Sequence, residues 1–310
     1  SVMFALIVGA AILALAIYGA IKLGELGQYR QTTETAVEIT ILTDPLQAGP
    51  AEASYSKISS PTEFLIENGC NAVGFGRNEI RVLNPSKNSF VGGEKLSVYD
   101  KYIFSASERG KEFYVLSMPF EFPYKVADLL FLTSKKYCFI EPPRDTDIEQ
   151  RLLGLGMKNV QVGKRENCSS DAVKVCFGVT GGCGTKDIIV SGTCLQNCEN
   201  AYEEGHVDKN GTRVYYVGNL MYAAIFSDKN IYDCNVKRLL YRDGRIAQVY
   251  SGKTELMNAR GCNTRLKQDL DIFSSRVLEE SKKIEARPDL LTNMEKQLKE
   301  KQDNELCKIW

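Results

Sequence analysis

Ten cysteines, at positions 70, 138, 168, 176, 183, 194, 198, 234, 262 and 307, constrain this 310-residue chain more than any other feature. The number is even, and five of them fall between Glu166 and Cys198. None stands in the C-x-x-C spacing of zinc sites and thioredoxin-like motifs, and His206 is the only histidine. Cys194 and Cys198 have a looser metal-like spacing, but no histidine lies close by and other cysteines do. Disulfides are therefore expected, and they imply an oxidising compartment. The competing reading is a set of buried free thiols in a reducing one.

A second constraint is the segment Val2 to Ile21, VMFALIVGAAILALAIYGAI, which carries no charge before Lys22. As a helix it would span about 30 Å, the thickness of a bilayer core. A soluble helix of that length would show a polar face, and a cleaved secretory signal would have a shorter apolar region behind a basic segment. A single membrane span is expected, with Ser1 in first place read as a truncation or as the residue left by removal of a leader. Small residues recur four apart, as Ala5 and Gly9, Ala10 and Ala14, Ala16 and Ala20. Such pairs let helices approach closely, although alanine facing lipid accounts for them equally well. The first strong break is Asp44-Pro45, so a helix is expected to continue to Thr43, with a strand over Ala36 to Leu42 as the alternative. The cysteines and two sequons, Asn167-Cys-Ser and Asn210-Gly-Thr, all follow the span, which puts the N-terminus inside and the bulk of the chain outside.

The expected fold class is α+β: a long N-terminal apolar helix, a β-rich disulfide-stapled head and a C-terminal helical hairpin. The expected organisation is a transmembrane or assembly helix over 1–43, a small polar connector over 44–60, a cysteine-rich head over 61–226 and a helical region over 227–310. Strands are expected at Glu63–Ile66, Glu79–Leu83, Lys101–Phe104 and Glu112–Ser117, from β-branched and aromatic residues between turn signals. Tyr137–Ile140, Ile148–Leu155 and Val160–Val162 read as strand, helix and strand. Asn210-Gly211 before Arg213-Val-Tyr-Tyr-Val217 signals a hairpin with a type I′ turn. Helices are expected over Val236–Tyr250, from Cys262 to about Ala286, and over Leu290–Leu306. The last two, broken at Arg287-Pro288, would form an antiparallel hairpin whose ends bring Cys262 beside Cys307. A disulfide is expected there. The other eight cysteines, at 70, 138, 168, 176, 183, 194, 198 and 234, allow 105 pairings.

The 39 basic and 39 acidic residues balance, which argues against nucleic acid as a partner. No catalytic constellation is visible. A triad would need His206, which sits in a polar stretch and reads as a lone surface histidine. The glycine run Gly178 to Lys186 lacks the Gly-Lys-Ser/Thr ending of a phosphate loop and reads as a disulfide-flanked loop. Asp145-Thr-Asp147 reads as a helix cap. Neither an enzyme nor a cofactor or metal is expected. Asn167 and Asn210 are glycosylation candidates, Asn210 being the better exposed.

An apolar N-terminal segment, small-residue pairs, a long continuation into a disulfide-bonded β-rich head and a first residue other than Met resemble mature type IV pilin-like proteins. Ala5 stands where bacterial pilins usually carry glutamate, so the archaeal branch fits better. The resemblance covers about the first 43 residues. It implies removal of a basic leader and packing of the apolar helices into a filament core, with Ala5, Gly9, Ala10, Ala14, Ala16 and Ala20 at the contacts. The expected function is thus a structural subunit of a pilus-like surface filament, with copies of itself as partners and the membrane as its location before assembly. A monomeric membrane-anchored receptor or adhesin is the alternative.

Overall fold

A computed structural model describes residues 54–86, 89–144, 146–154, 156–178, 183–194 and 200–310. The first sheet contains β1 (Ser54–Asn71), β2 (Arg77–Ser86), β3 (Ser89–Val91), β4 (Leu96–Val98), β5 (Tyr102–Phe104), β6 (Glu108–Glu121) and β7 (Lys125–Thr133). Its order is β3-β2-β1-β6-β7-β5, with β4 also on β2. All pairings are antiparallel except β5 with β7. Successive side chains of a strand alternate between faces. Along β6 and β7, Phe113, Val115, Leu130 and Leu132 go to one cluster, while Leu116, Met118, Leu129 and Phe131 go to another.

Both faces are therefore buried, because the sheet curls on itself. Its concave face encloses Ile58, Phe64, Ile66, Ile80, Val82, Phe113, Val115 and Leu130, drawn from four strands. At the seam, β2 and β5 meet through a side chain in place of a backbone ladder. The Asn78 amide donates to the Ile103 carbonyl at 3.3 Å, and the Ile103 N–H donates to Asn78 Oδ1 at 3.1 Å.

The second sheet holds β8 (Tyr137–Ile140), β9 (Val160–Gly163), β10 (Val173–Phe177), β11 (Ile188–Gly192), β12 (Glu204–Lys209) and β13 (Thr212–Val217), in the order β13-β12-β11-β10-β8-β9. Its β8–β11 part is parallel, and β12 and β13 add antiparallel strands. The expected strand–helix–strand unit is present: α1 (Ile148–Gly154) links β8 to its parallel neighbour β9. The expected hairpin is present too, with Asn210 and Gly211 at φ +52° and +74°, as a type I′ turn requires.

Helix α2 (Leu220–Phe226) lies between the sheets and buries all seven residues, against β5 and β7 on one side and β12 and β13 on the other. Phe226 meets Tyr137 at 4.6 Å and Phe131 at 5.7 Å between ring centres. Helix α3 (Lys229–Ala259) crosses the first sheet, and α4 (Lys267–Glu280) runs antiparallel along it. Ser251 bonds Asp271 at 2.5 Å, and Ser274 bonds the Gly244 carbonyl at 2.9 Å. Gly244 permits this approach, since a Cβ there would lie 2.6 Å from Leu278 Cγ. A shorter helix α5 (Thr292–Asn304) follows a 3-10 turn at Pro288–Leu291.

Three expectations are corrected. First, the described residues contain no long apolar helix and do not form one β-rich head followed by a helical hairpin. They form two mixed sheets with a helix between them and a helical layer outside, and no described helix is long and apolar enough to cross a membrane. The expected helix over 1–43, with its packing residues Ala5, Gly9, Ala10, Ala14, Ala16 and Ala20, lies outside the described residues. Second, the helical pair of the C-terminal region is α3 with α4; α5 touches α4 only lightly. The chain loses helical form after Glu280, where Ser281 to Arg287 turn back toward Glu280, whose carboxylate accepts from the Arg287 N–H at 2.9 Å. Leu306 lies beyond α5 and is fully exposed. Third, strand β1 begins at Ser54, inside the stretch read as a connector.

Four disulfides join Cys70 to Cys234, Cys138 to Cys168, Cys176 to Cys183 and Cys262 to Cys307, and Cys194 is disulfide-bonded as well. The pair at 262 and 307 is the one expected from the sequence. Cys70–Cys234 ties β1 to α3 across 164 residues. In the loop-closure account such a link removes on the order of 5 kcal/mol of unfolded-state entropy.

Candidate functional site

A cleft of about 380 Å³ opens where β6, α1, the turn before β12 and the start of α2 converge. Four segments far apart in sequence build it. Helix α1 starts after Asp147, and Arg151 one turn later pairs back to Asp147. The chain leaves β13 through Gly218, whose N–H donates to the Glu203 carbonyl at 2.7 Å, and presents Asn219 at the mouth of α2. The Asn219 side chain accepts from Arg151 Nη1 at 2.5 Å and donates to the Pro119 carbonyl at 2.8 Å. One amide thus braces α1, β6 and α2 together. Tyr202 is held by its N–H on Asn200 Oδ1 at 2.8 Å and by an edge contact with Phe177.

Tyr222, near the start of α2, is among the residues that line the cleft at 2 % exposure, and its buried hydroxyl has no hydrogen-bond partner among the described residues. Burial holds the phenol protonated, with its acidity pushed well beyond the ordinary tyrosine range.

The cleft continues past Glu121, Glu203 and Gly218 into a second arm of about 180 Å³ against α5. Lys296 reaches Glu203 at 3.3 Å, and one carboxylate oxygen of Glu204 is buried without a hydrogen bond. Burial raises Glu295 to about 7, reinforced by Glu203 and opposed by Lys299 and Lys296. Its folded pKa thus lies above the ordinary 4.5. The proton is kept in the fold and released on unfolding, so the associated stability is complete below about pH 4.5 and lost as pH rises through about 7. Unfolding in urea between pH 4.5 and 8 is expected to show a fall of about 1–3 kcal/mol that Glu295→Gln removes. An unchanged slope in the variant would assign the titration to another group.

The structure distributes the sequence candidates differently. The four described disulfides brace the fold away from the cleft lining, and the Cys194 sulfur lies 3.7 Å from Lys296 Nζ, a residue of the second arm. Asn167 and Asn210 are both exposed, away from it. His206 is not a fully exposed histidine: it is partly buried on β12 opposite Tyr215, with Nε2 3.5 Å from Asp208 Oδ2. Burial lowers its pKa, helped by Arg213, which binds Asp208 through two hydrogen bonds. Among the described residues no group of three His, Cys, Asp or Glu side chains is placed to hold a metal.

Arg151, Asn219 and Tyr222 carried no sequence signal as a site. Leu220 to Phe226 falls within the stretch expected to be β-rich, and the buried hydroxyl inside it is set by the packing of α2 between the sheets. Asp147 stands in a segment read as a cap, and Ile148 and Arg151 in the helix read over Ile148–Leu155, none of them as part of a site. Compared with protein-family models, with curated proteins and with solved structures, the chain has no match.

Proposed function

We propose that this chain is an exported surface protein that recognises a ligand in the polar cleft, in the manner of a receptor or adhesin held at the cell surface by the uncharged run Val2 to Ile21. Its multiple disulfides fit an oxidising, extracytoplasmic setting. The observation that carries the binding reading is the braced Arg151–Asn219–Pro119 contact, which fixes three elements around an open polar cavity without any help from a ligand. Preorganised polar groups around a concavity are what selective recognition needs. The described cleft residues offer acceptors and one braced guanidinium but no nucleophile–base pair, which favours binding over turnover.

The test uses the full chain, labelled and incubated with intact cells and isolated cell-envelope material. Glu121 is exposed on the rim, so Glu121→Arg leaves the core untouched while reversing charge at the entrance. Bound signal is expected to drop at least tenfold in the variant. Equal binding by both proteins would move recognition off this cleft.

A second reading rests on a different observation. The run Val2 to Ile21 with its four-residue spacing of Ala and Gly suits close self-packing, and supports a filament subunit displaying this head. Electron microscopy of the native material separates the two. Fibres that vanish in Gly9→Leu with Ala10→Leu would favour the filament, and their absence from native material would remove it.

A further inference from the structure

We propose that Asn210 carries an N-linked glycan, that Asn167 does not, and that the first sugar covers the open end of edge strand β13. This rests on the exported setting of the chain and is independent of the cleft. Both asparagines stand in Asn-x-Ser/Thr acceptor tripeptides, but the fold presents the two differently. Asn210 and Gly211 form the exposed tip of the two-residue β12–β13 hairpin. A Cβ on Gly211 would meet nothing within 4 Å, so the tip stands clear of its surroundings. Neither the Asn210 amide nor the Thr212 hydroxyl is engaged in a hydrogen bond among the described residues. The other tripeptide is tied into the fold along its main chain. The Asn167 N–H donates to the Lys164 carbonyl at 3.0 Å, the Cys168 N–H to the Arg165 carbonyl at 3.2 Å and the Ser169 N–H to Gln161 Oε1 at 3.1 Å. Its middle residue is disulfide-bonded to Cys138 on β8. Residues 167–169 would have to break these links to enter a transferase groove, and the hairpin tip would not.

The transfer forms a bond between Asn210 Nδ2 and the anomeric carbon of the first sugar. It breaks the bond from that carbon to the phosphate of a lipid-linked oligosaccharide donor. The lipid phosphate leaves, and one amide proton is released. The attached sugar has a place to lie. Strand β13 is an edge of the second sheet, and an open edge invites pairing with other chains. The 3-10 turn at Pro288–Leu291 packs on part of it, and the Tyr232 hydroxyl donates to the Tyr215 carbonyl at 2.5 Å. Nearer the tip a groove of about 120 Å³ stays open, bordered by Asn210 itself and by Thr212, Val214, Ser227 and Asp228. Free small ligands occupy sites of about 300 Å³ or more. A groove this small, with the acceptor amide on its border, suits a single sugar held covalently.

The experiment maps both asparagines by mass spectrometry in the full chain from its native source, and labels intact native cells with a membrane-impermeant amine reagent. Sugar mass is expected on the Asn210 peptide and none on the Asn167 peptide. Asn210→Asp retains a turn-forming Asp-Gly pair, and Thr212→Val retains a strand-forming residue. Each is expected to lose the whole of the added mass while folding normally. Deuterium uptake over 212–215 is expected to be slower in the glycosylated chain than in Thr212→Val. Equal uptake would leave the edge uncovered and overturn the covering role. A bare Asn210, or sugar on Asn167, would overturn the assignment. If Asn210 is bare and the chain is labelled on intact cells, the exported reading stands without the glycan. If it is bare and unlabelled, both fall.

Discussion

Replacing Arg238 by methionine is expected to lower stability by about 3–5 kcal/mol, read as a shift in urea midpoint with the disulfides intact. Arg238 is the largest fully buried side chain of the molecule's described part and sits on α3 at the seam of the curled sheet. Its Nε donates to the Phe75 carbonyl at 2.9 Å, and its Nη1 donates to Asn78 Oδ1 at 2.6 Å and to Asn235 Oδ1 at 2.7 Å. The guanidinium also stacks over the Tyr102 ring, 4.7 Å from its centre. Burial lowers its pKa to about 10, so it remains charged at neutral pH. Methionine would fill much of the volume but take away the donor to Asn235 Oδ1 and to the part-buried Phe75 carbonyl and leave Asn78 Oδ1 with the Ile103 N–H alone, losses worth about 1–3 kcal/mol for each acceptor left buried and unpaired. The same Asn78 closes β2 onto β5, and the Asn235 amide donates to the Ile103 carbonyl at 2.8 Å, so the seam would loosen with it. Arg238→Lys keeps the charge without the planar fork and is expected to lose nearly as much. A loss below about 1 kcal/mol in Arg238→Met would show that the seam is held by packing and by Cys70–Cys234 instead.

Asp243→Asn is expected to act in the opposite sense. Asp243 is fully buried on α3, and neither carboxylate oxygen has a hydrogen-bond partner among the described residues. The nearby Tyr124 hydroxyl donates to the Asp243 main-chain carbonyl, at 3.1 Å. Burial pushes the carboxyl well above its ordinary range, and the Tyr124 hydroxyl offsets this only in part. The sign follows from the raised value. The folded chain keeps the proton while the unfolded chain releases it above the ordinary 3.8, so stability is complete below that pH and is lost as pH rises toward the folded pKa. Asparagine matches the shape of the protonated acid and does not titrate. The variant should therefore equal the parent near pH 4 and exceed it by about 1–3 kcal/mol at pH 7. Parallel pH profiles for the two proteins would show that Asp243 is not the group responsible.

Both residues show how far the amino-acid order could be read. The α3 pattern of Leu239, Leu240, Ile246 and Val249 suggested a helix of ordinary length. The actual helix is twice as long, and Val249 is 71 % exposed. Its inner face runs through Arg238, Asp243, Gly244 and Ser251, residue types that no periodicity of apolar side chains detects. Strand β7 escaped notice for a related reason. Leu129 to Leu132 is apolar on both faces because the curled sheet has two interiors, so the alternation that marks a half-exposed strand is absent. The cleft was invisible because its parts come from four separate segments, and an unpaired hydroxyl is a property of the neighbours rather than of Tyr222.

What the sequence determined by itself is local or depends on one short closure. Asn210-Gly211 dictates a type I′ turn because both positions need positive φ. The β8–α1–β9 unit follows from a switch of period within 30 residues, and the even, dispersed cysteines point to disulfides. Cys262 and Cys307 meet as expected, one just before α4 and the other just after α5, although α4 packs chiefly against α3. The tertiary structure alone decided which helix α4 lies against, how the first sheet closes, how the remaining cysteines pair and where the polar cleft forms. Each of these joins residues separated by tens to more than a hundred positions, and the energy that selects among such pairings is released only when whole surfaces pack. Local preference along the chain carries no record of it.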